Sequence, residues 1–158
     1  MSERALRFGP LDTLVGYQLR WAFLRSNQLF AAMAGELGLA PGQFGVLTLI
    51  GLNPGRTQRE IADASGLDRS SLTQMLDLLA RRGYVVRRPG PDRRSFSLHL
   101  TPAGDAARAQ GQPKVLEHER LIRGALSAVE AKTLLKLLER VAVHPMREAP
   151  SIPAARFD

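Results

Sequence analysis

The spacing of apolar residues along the chain predicts a series of helices with one pair of strands between them. Residues 11–36 contain no proline and carry apolar side chains over more than one narrow stripe, so they are predicted to form one long helix. A helix of that length spans about 37 Å at 1.5 Å per residue. This is longer than a small domain requires, and part of the helix is therefore expected to pack on a second chain.

Start and stop signals divide the next segment into shorter helices. Pro41 suits the first turn of a helix, where its missing N–H costs nothing, and the turn residues at 53–55 end that helix. The pattern Thr57-x-x-Glu60 is a capping box and predicts a helix from 57 to about 65.

A turn at Gly66 leads into a further helix. Asp68 is a good N-cap, so this helix is predicted over 69–82, and Gly83 follows its end in the position that favours a left-handed residue. Two helices joined by a short glycine-containing turn are typical of a helix-turn-helix.

Two strands follow the helix-turn-helix. Residues 84–88 form the first strand, residues 89–92 a turn, and residues 95–100 the second strand, in which Phe96, Leu98 and Leu100 alternate on one face. The prediction is a two-stranded hairpin with a basic tip.

The C-terminal third predicts two more helices. The first begins at Thr101-Pro102 and extends to about Gly124, with Gly111 and Pro113 expected to kink it or break it briefly. The second begins with a capping box at Ser127, carries several leucines and stops at Pro145, beyond which residues 145–158 are expected to be a loose tail.

Together these elements predict a mainly α fold with a small β-hairpin wing. Residues 39–100 form a winged helix-turn-helix lobe, and residues 11–36 and 102–143 form dimerisation helices that complete a single domain. Composition supports a folded protein, because 44% of the 158 residues are hydrophobic. The absence of cysteine excludes disulfides and thiol chemistry, and no stretch has the length of a membrane span or a signal peptide, so we expect a cytoplasmic protein without a cofactor.

The net charge of +7 is concentrated in one segment. Between Arg69 and Arg94 there are seven arginines against two aspartates. A focused cluster of this kind is typical of a phosphate-binding surface, whereas a charge that only aids solubility usually interleaves Glu and Lys.

The helix predicted over 69–82 has two distinct sides at about 100° per residue. An apolar side carries Leu72, Met75, Leu76 and Leu79, and a polar side carries Ser70, Thr73, Gln74, Asp77 and Arg81, with Ser71 next to it. Short hydroxyl and amide side chains can approach base edges in the major groove. The hairpin tip adds Asp92, Arg93 and Arg94, and arginine can enter a narrow minor groove.

Several motifs in combination resemble the MarR (multiple antibiotic resistance regulator) family. They are the stretches 57–62, 67–73, 81–85, 92–94 and 98–104, and the resemblance spans roughly residues 11–143. It implies a homodimeric winged-helix transcription factor, usually a repressor, that releases a palindromic operator in double-stranded DNA when a small ligand binds. Two departures are Pro113, in a helix that is commonly smoother in the family, and the lack of the cysteine used by its redox-sensing branch.

The resemblance and the wheel together select the candidate DNA-contacting residues. They are Thr57, Gln58, Arg69, Ser70, Ser71, Thr73, Gln74, Arg93 and Arg94, with Asp92 orienting the wing arginine. The resemblance also implies a ligand pocket where the first helix meets the DNA-binding lobe. Tyr17, Arg20 and Trp21 on that helix could hold an aromatic acid or an acyl-CoA thioester. The alternative is that Tyr17 and Trp21, four residues apart, form a packing pair.

Other classes of function fit the sequence less well. His99, His118 and His144 are isolated from one another, no metal-binding pair or nucleotide-binding loop is present, and no enzyme is expected. A non-specific architectural DNA-binding protein and a winged-helix protein-interaction module remain the alternatives, because clustered arginine is compatible with both.

Overall fold

A computed structural model describes residues 8–34, 38–90 and 96–143. The chain divides into two compact units, residues 1–119 and residues 120–158. The described elements in chain order are a 3-10 helix Gly9–Thr13, α1 Val15–Ala34, α2 Pro41–Leu52, α3 Gln58–Ser65, α4 Arg69–Arg81, β1 Val85–Pro89, β2 Phe96–Leu100, α5 Pro102–Arg123 and α6 Ala128–Val143.

The core of the first unit is built by α2, α3, α4 and the hairpin. Its apolar residues are Val46, Leu47, Ile50, Ile61, Leu72, Leu76, Leu79, Val85 and Leu98, all close to fully buried. The predicted apolar side of α4 therefore faces this core, and the polar side is directed away from it. This arrangement confirms the winged helix-turn-helix.

Local capping sets the helix ends where the sequence predicts them. The Thr57 hydroxyl accepts a hydrogen bond from the Glu60 N–H, and the Thr57 N–H donates to the Glu60 carboxylate. Asp68 caps α4 through the N–H of Ser71. Gly66 and Gly83 adopt positive φ angles of 68° and 71°, which favour glycine after a helix.

The hairpin is antiparallel, and the segment before α3 forms an isolated β-bridge with β2. Val85 pairs with Leu100 and Pro89 with Phe96. Residues 55–57 lie beside β2, because the Gly55 N–H donates to the Leu98 carbonyl at 3.0 Å and the Leu98 N–H donates to the Arg56 carbonyl at 2.8 Å. The wing is thereby tied to the residues that precede α3, a long-range pairing that local sequence patterns do not reveal.

Burial along β2 departs from the simple alternation. Leu98 is buried on the predicted face, but Phe96 near the turn is 60% exposed, because the core does not extend that far along the hairpin. Ser97 on the opposite face is buried, and it forms the isolated β-bridge with Thr57.

The predicted start of the first helix at Leu11 is wrong. Residues Gly9–Thr13 form a 3-10 helix, Leu14 is extended with ψ 120°, and α1 begins only at Val15. The Thr13 hydroxyl donates to the Pro10 carbonyl at 2.8 Å, a local bond that competes with a continuous α-helix. The predicted end near Glu36 lies outside the described residues.

The brief break predicted as one outcome for α5 does not occur, whereas the alternative, a kink at Gly111 or Pro113, stays a prediction. The helix continues from Pro102 to Arg123 with Pro113 inside it. Gly111 is buried, and a Cβ atom there would lie 2.3 Å from Cε2 of Phe44. Gly111 therefore gives an aromatic ring of α2 close access to α5 and does not end the helix. Pro145 and the predicted tail lie outside the described residues.

Candidate nucleic-acid interface

The recognition helix α4 presents its polar side to solvent. Ser70 and Gln74 are exposed, and Ser71 and Thr73 are half-buried next to them. Leu72, Leu76 and Leu79 hold the opposite side in the core. The structure therefore brings the four polar candidates of this helix together on one ridge.

The Asp68 carboxylate organises the first turn of α4. Its Oδ1 accepts from the Ser70 hydroxyl at 2.5 Å and from the Ser71 N–H at 2.9 Å, and its Oδ2 accepts from the Ser71 hydroxyl at 2.6 Å. These donors, the Ser70 hydroxyl first, hold the pKa of Asp68 far below its ordinary range. Asp68 is therefore ionised at neutral pH and keeps both serine side chains in place.

A second hydrogen-bonded pair connects α3 to α4. The Thr73 hydroxyl donates to the Arg69 carbonyl at 2.7 Å, and Gln58 Nε2 donates to Thr73 Oγ1 at 2.6 Å. Thr57, one residue before Gln58, donates its hydroxyl to the Glu60 carboxylate at 2.9 Å. Of the residues predicted to contact DNA, Thr57 thus also caps α3, and Gln58 also links α3 to α4.

A polar depression of about 730 Å³ lies between α3 and α4. Its charged and amide lining residues are Gln58, Arg59, Asp63, Asp68 and Arg69. Arg59 is a candidate that the sequence analysis missed. It could have been identified from its position on α3, because Ile61 and Ala62 face the core and leave Arg59 exposed.

Two members of the arginine cluster have intramolecular partners. Arg87 forms an ion pair of 2.8 Å with Asp77 of α4, and the Arg82 guanidinium donates to the Gly38 carbonyl. Arg69, Arg81 and Arg88 are exposed. The positive charge available to a partner is therefore lower than a count along the sequence indicates.

The wing-tip candidates Asp92, Arg93 and Arg94 lie outside the described residues. The two strands that lead to and from the tip are described, and they place both ends of the segment beside each other, at Pro89 and Phe96. Contacts of the wing arginines with DNA remain a prediction.

Comparisons with known proteins assign the chain to a family. A sequence model of the MarR family matches residues 37–95. The multiple antibiotic resistance protein MarR of Escherichia coli strain K12 is 32% identical over 120 residues, which cover 74% of this chain and 83% of that protein. The chain belongs to the MarR family.

Other MarR-type relatives match over most of their length. The putative transcriptional regulatory protein for the hcr operon of Thauera aromatica is 35% identical over 135 residues, 84% of this chain and 81% of that protein. The repressor CouR bound to a 23-mer DNA duplex has a TM-score of 0.81 and 39% identity, over 87% of this chain and 99% of CouR. CouR bound to p-coumaroyl-CoA has a TM-score of 0.82 and 36% identity, over 88% and 99%. This chain is thus a MarR-family transcriptional regulator.

An apolar cavity of about 550 Å³ is lined by residues of α1, α2, α5 and the α3–α4 turn. Its lining residues include Phe30 of α1, Phe44 and Thr48 of α2, Leu67 of the α3–α4 turn and His118 of α5. The ring of His118 meets Phe30 edge-on at 5.4 Å, and His118 Nε2 donates to the Ser26 carbonyl at 3.0 Å. The Thr48 hydroxyl is buried without a hydrogen-bond partner among the described residues.

The predicted ligand residues on α1 lie elsewhere. Tyr17 and Trp21 pack edge-on at 6.2 Å, and Phe8 meets Tyr17 at 6.4 Å, while Arg20 is exposed beside them. None of Tyr17, Arg20 and Trp21 lines the apolar cavity. Their role in ligand binding remains a prediction, although Trp21 is accessible at 48% exposure.

Residues 8–34, 38–90 and 96–143 contain neither a helix that could span a membrane nor a cluster of side chains that could bind a metal ion. None of the helices there combines the length and apolar character needed to cross a membrane. No group of three or more His, Asp or Glu side chains in that part of the chain could hold a metal ion.

Proposed function

We propose that the protein is a homodimeric repressor that binds a palindromic operator through α4. The observation that carries this proposal is the polar ridge on α4, held outward by the fully buried leucines on the opposite side of the same helix. Exposed Arg59 and Arg69 lie beside the ridge and can contact phosphates. CouR, which is similar over 87% of this chain, is bound to a DNA duplex.

A dimer is proposed because one major-groove helix gives weak specificity, whereas two copies read half-sites about 10 bp apart. The second unit supports this proposal by itself. On α6, Leu134, Leu135, Leu137 and Leu138 are each more than a third exposed. An exposed apolar surface of this kind is typical of an interface between subunits.

The DNA-binding proposal is tested by selection from a randomised duplex library, followed by binding measurements on the selected sequence at several salt concentrations. We expect an inverted repeat with half-sites about 10 bp apart and an affinity that falls steeply with salt. Binding that depends on salt but selects no sequence would instead identify an architectural protein. Absence of binding in dilute buffer would favour a protein-interaction module.

We further propose that an aromatic acyl-CoA thioester, or the corresponding aromatic acid, releases the operator. The apolar cavity offers aromatic walls and an unpartnered hydroxyl at Thr48. Leu67 lines both this cavity and the polar depression on the DNA side, and it lies two residues before α4 begins. A ligand that displaces Leu67 would therefore shift the start of the recognition helix. CouR, which shares 36% identity, is bound to p-coumaroyl-CoA.

Release is tested with the selected operator and a panel of p-coumaroyl-CoA, benzoyl-CoA, the free acids and CoA alone. Thr48→Val keeps the shape of the side chain and removes its hydroxyl. The affinity for the effective ligand should therefore fall by about twofold to tenfold, which corresponds to the loss of one hydrogen bond. Thr133→Val on α6 is the matched control. Trp21→Phe and Arg20→Ala test the ligand contact that the sequence predicts on α1. If no compound of the panel releases the operator, the release mechanism is refuted.

The proposal also includes where the protein acts and whether it catalyses a reaction. The protein is proposed to act in the cytoplasm, where its DNA partner lies, and as a binding protein without catalytic activity. Its relatives are transcriptional regulators.

A further inference from the structure

The hydroxyl protons of Ser70 and Ser71, at the start of α4, are both directed at the Asp68 carboxylate. Ionised carboxylate oxygens can only accept hydrogen bonds. The bonds of 2.5 Å from Ser70 Oγ and 2.6 Å from Ser71 Oγ to Asp68 must therefore be donated by the serines. Each serine has one hydroxyl proton, so neither has a proton left for DNA while Asp68 holds it.

Thr73 has the same property through a different partner. The Arg69 carbonyl can only accept, so the Thr73 hydroxyl is the donor in the 2.7 Å bond between them. The amide atom of Gln58 that lies 2.6 Å from Thr73 Oγ1 must then be the nitrogen. Gln58 is thereby oriented, and Thr73 Oγ1, which already accepts from Gln58, has only a lone pair left to offer to DNA.

These bonds determine which DNA atoms the ridge can bind. Phosphate oxygens, guanine O6 and N7, and thymine O4 are all acceptors, and they cannot pair with an oxygen that has only lone pairs to offer. The donors in the major groove are the amino groups of adenine N6 and cytosine N4. A carboxylate next to the two serines disfavours an approaching phosphate further.

We propose that Asp68 is a positioning residue that makes Ser70 and Ser71 hydrogen-bond acceptors toward DNA, so that α4 selects bases presenting an amino group, adenine or cytosine. This inference rests on the proposed function, because it requires α4 to enter the major groove. It assigns to Asp68 a role in base selectivity in addition to helix capping. The strongly lowered pKa of Asp68 is consistent with an acceptor that persists over the whole range of binding conditions.

The test is the variant Asp68→Asn, since asparagine caps helices as well as aspartate does. To keep the cap, the amide oxygen must accept from the Ser71 N–H, and the amide nitrogen then faces Ser71 Oγ. The nitrogen donates to Ser71, whose own proton becomes free for DNA. We expect the base preference at one position of each half-site to change from adenine or cytosine to guanine or thymine, by about twofold to tenfold in relative affinity.

Asp63→Asn is the matched control. It removes the same charge from the same polar depression, and Asp63 is exposed on α3 away from the two serines. This variant should raise affinity for all sequences alike and leave the base preference unchanged. Circular dichroism of both variants verifies that α4 is retained.

A second measurement uses the wild-type protein and therefore does not depend on the folding of a variant. Adenines and cytosines of the selected half-site are replaced singly by N6-methyladenine or N4-methylcytosine, which lose the amino proton in the major groove. At the position read by the serines, affinity should fall about twofold to tenfold, and the loss should be smaller in Ser70→Ala/Ser71→Ala.

The outcomes separate the inference from the function on which it rests. A clear wild-type operator with the same base preference in Asp68→Asn would overturn the inference alone. A wild-type protein that selects no sequence would overturn both the inference and the proposed function.

Discussion

At the scale of single residues, the close contact between Gly111 and Phe44 connects α5 to α2. A Cβ atom at position 111 would lie 2.3 Å from Cε2 and 2.6 Å from Cδ2 of the Phe44 ring. Cores are packed densely enough that such an overlap must be relieved by moving a side chain or the backbone. Phe44 also lines the apolar cavity, so this contact affects both stability and the shape of the proposed ligand site.

Gly111→Ala should therefore lower the free energy of unfolding by about 1–3 kcal/mol, the usual cost of overpacking. Gly45→Ala in α2 is the control, because a Cβ atom there meets nothing within 4 Å. That change should stabilise the protein by about 0.5–1 kcal/mol through helix propensity. Urea denaturation measures both variants, and equal effects would show that the ring contact is unimportant.

At the scale of elements, three helices have a carboxylate at or near the N-terminus that accepts hydrogen bonds from neighbouring hydroxyl and N–H groups. Glu60 serves α3, Asp68 serves α4 and Glu130 serves α6. Hydrogen bonds from Thr57 lower the pKa of Glu60, those from Ser70 and Ser71 lower that of Asp68, and those from Ser127 lower that of Glu130. Protonation of these carboxylates at low pH is therefore expected to weaken the N-terminal ends of α3, α4 and α6.

The sign of the pH dependence follows from these directions. Each folded-state pKa lies below the unfolded value, so the unfolded chain takes up protons first as the pH falls. The stabilisation is complete above the ordinary carboxyl pKa values of about 4 to 4.5 and is lost progressively below them. Denaturant titrations should show a constant stability from pH 7 to about pH 5 and a progressive loss from there to pH 3.

Glu60→Gln and Glu130→Gln should flatten that loss, because glutamine can complete a capping box without a titrating group. Asp63→Asn should leave the slope unchanged, since Asp63 caps no helix in the described structure. An identical slope in all of these variants would show that the caps do not govern acid unfolding.

At the scale of the whole molecule, the apolar side of α6 is the feature that a single chain leaves open. Leu134 is 41% exposed and Leu138 is 38% exposed, whereas Lys132 and Lys136 lie on the other side of the same helix by its 100° periodicity. A second copy that covers the leucines would make DNA binding depend on assembly.

Leu134→Gln/Leu138→Gln should therefore shift the protein toward monomer in sedimentation experiments and weaken operator binding at least tenfold, because each monomer reads only one half-site. Lys132→Gln/Lys136→Gln introduces the same side chains on the other side and should remain dimeric. Loss of operator affinity without any change in sedimentation would place the dimer contact elsewhere.

Local signals in the sequence determined the order and type of the described elements from α2 to α6. Capping boxes, glycines after helices and the 100° periodicity of α4 depend on residues a few positions apart, so they can be recognised from the sequence alone. The exposed polar side of α4 could be predicted for the same reason, because the leucines that are buried on one side of the helix define the other side.

Only the tertiary structure decided features that depend on residues far apart in the chain. These include the isolated β-bridge beside β2, the packing of Phe44 on Gly111, the pairing of Arg87 with Asp77 and the apolar cavity around Phe30, Thr48 and His118. The pairing partners are 10 to 92 positions apart in examples such as Arg87 with Asp77 and Ser26 with His118. The sequence could name Ser70, Ser71 and Thr73 as candidates for DNA contact, but the direction of their hydroxyl protons depends on which acceptor the fold places beside each oxygen.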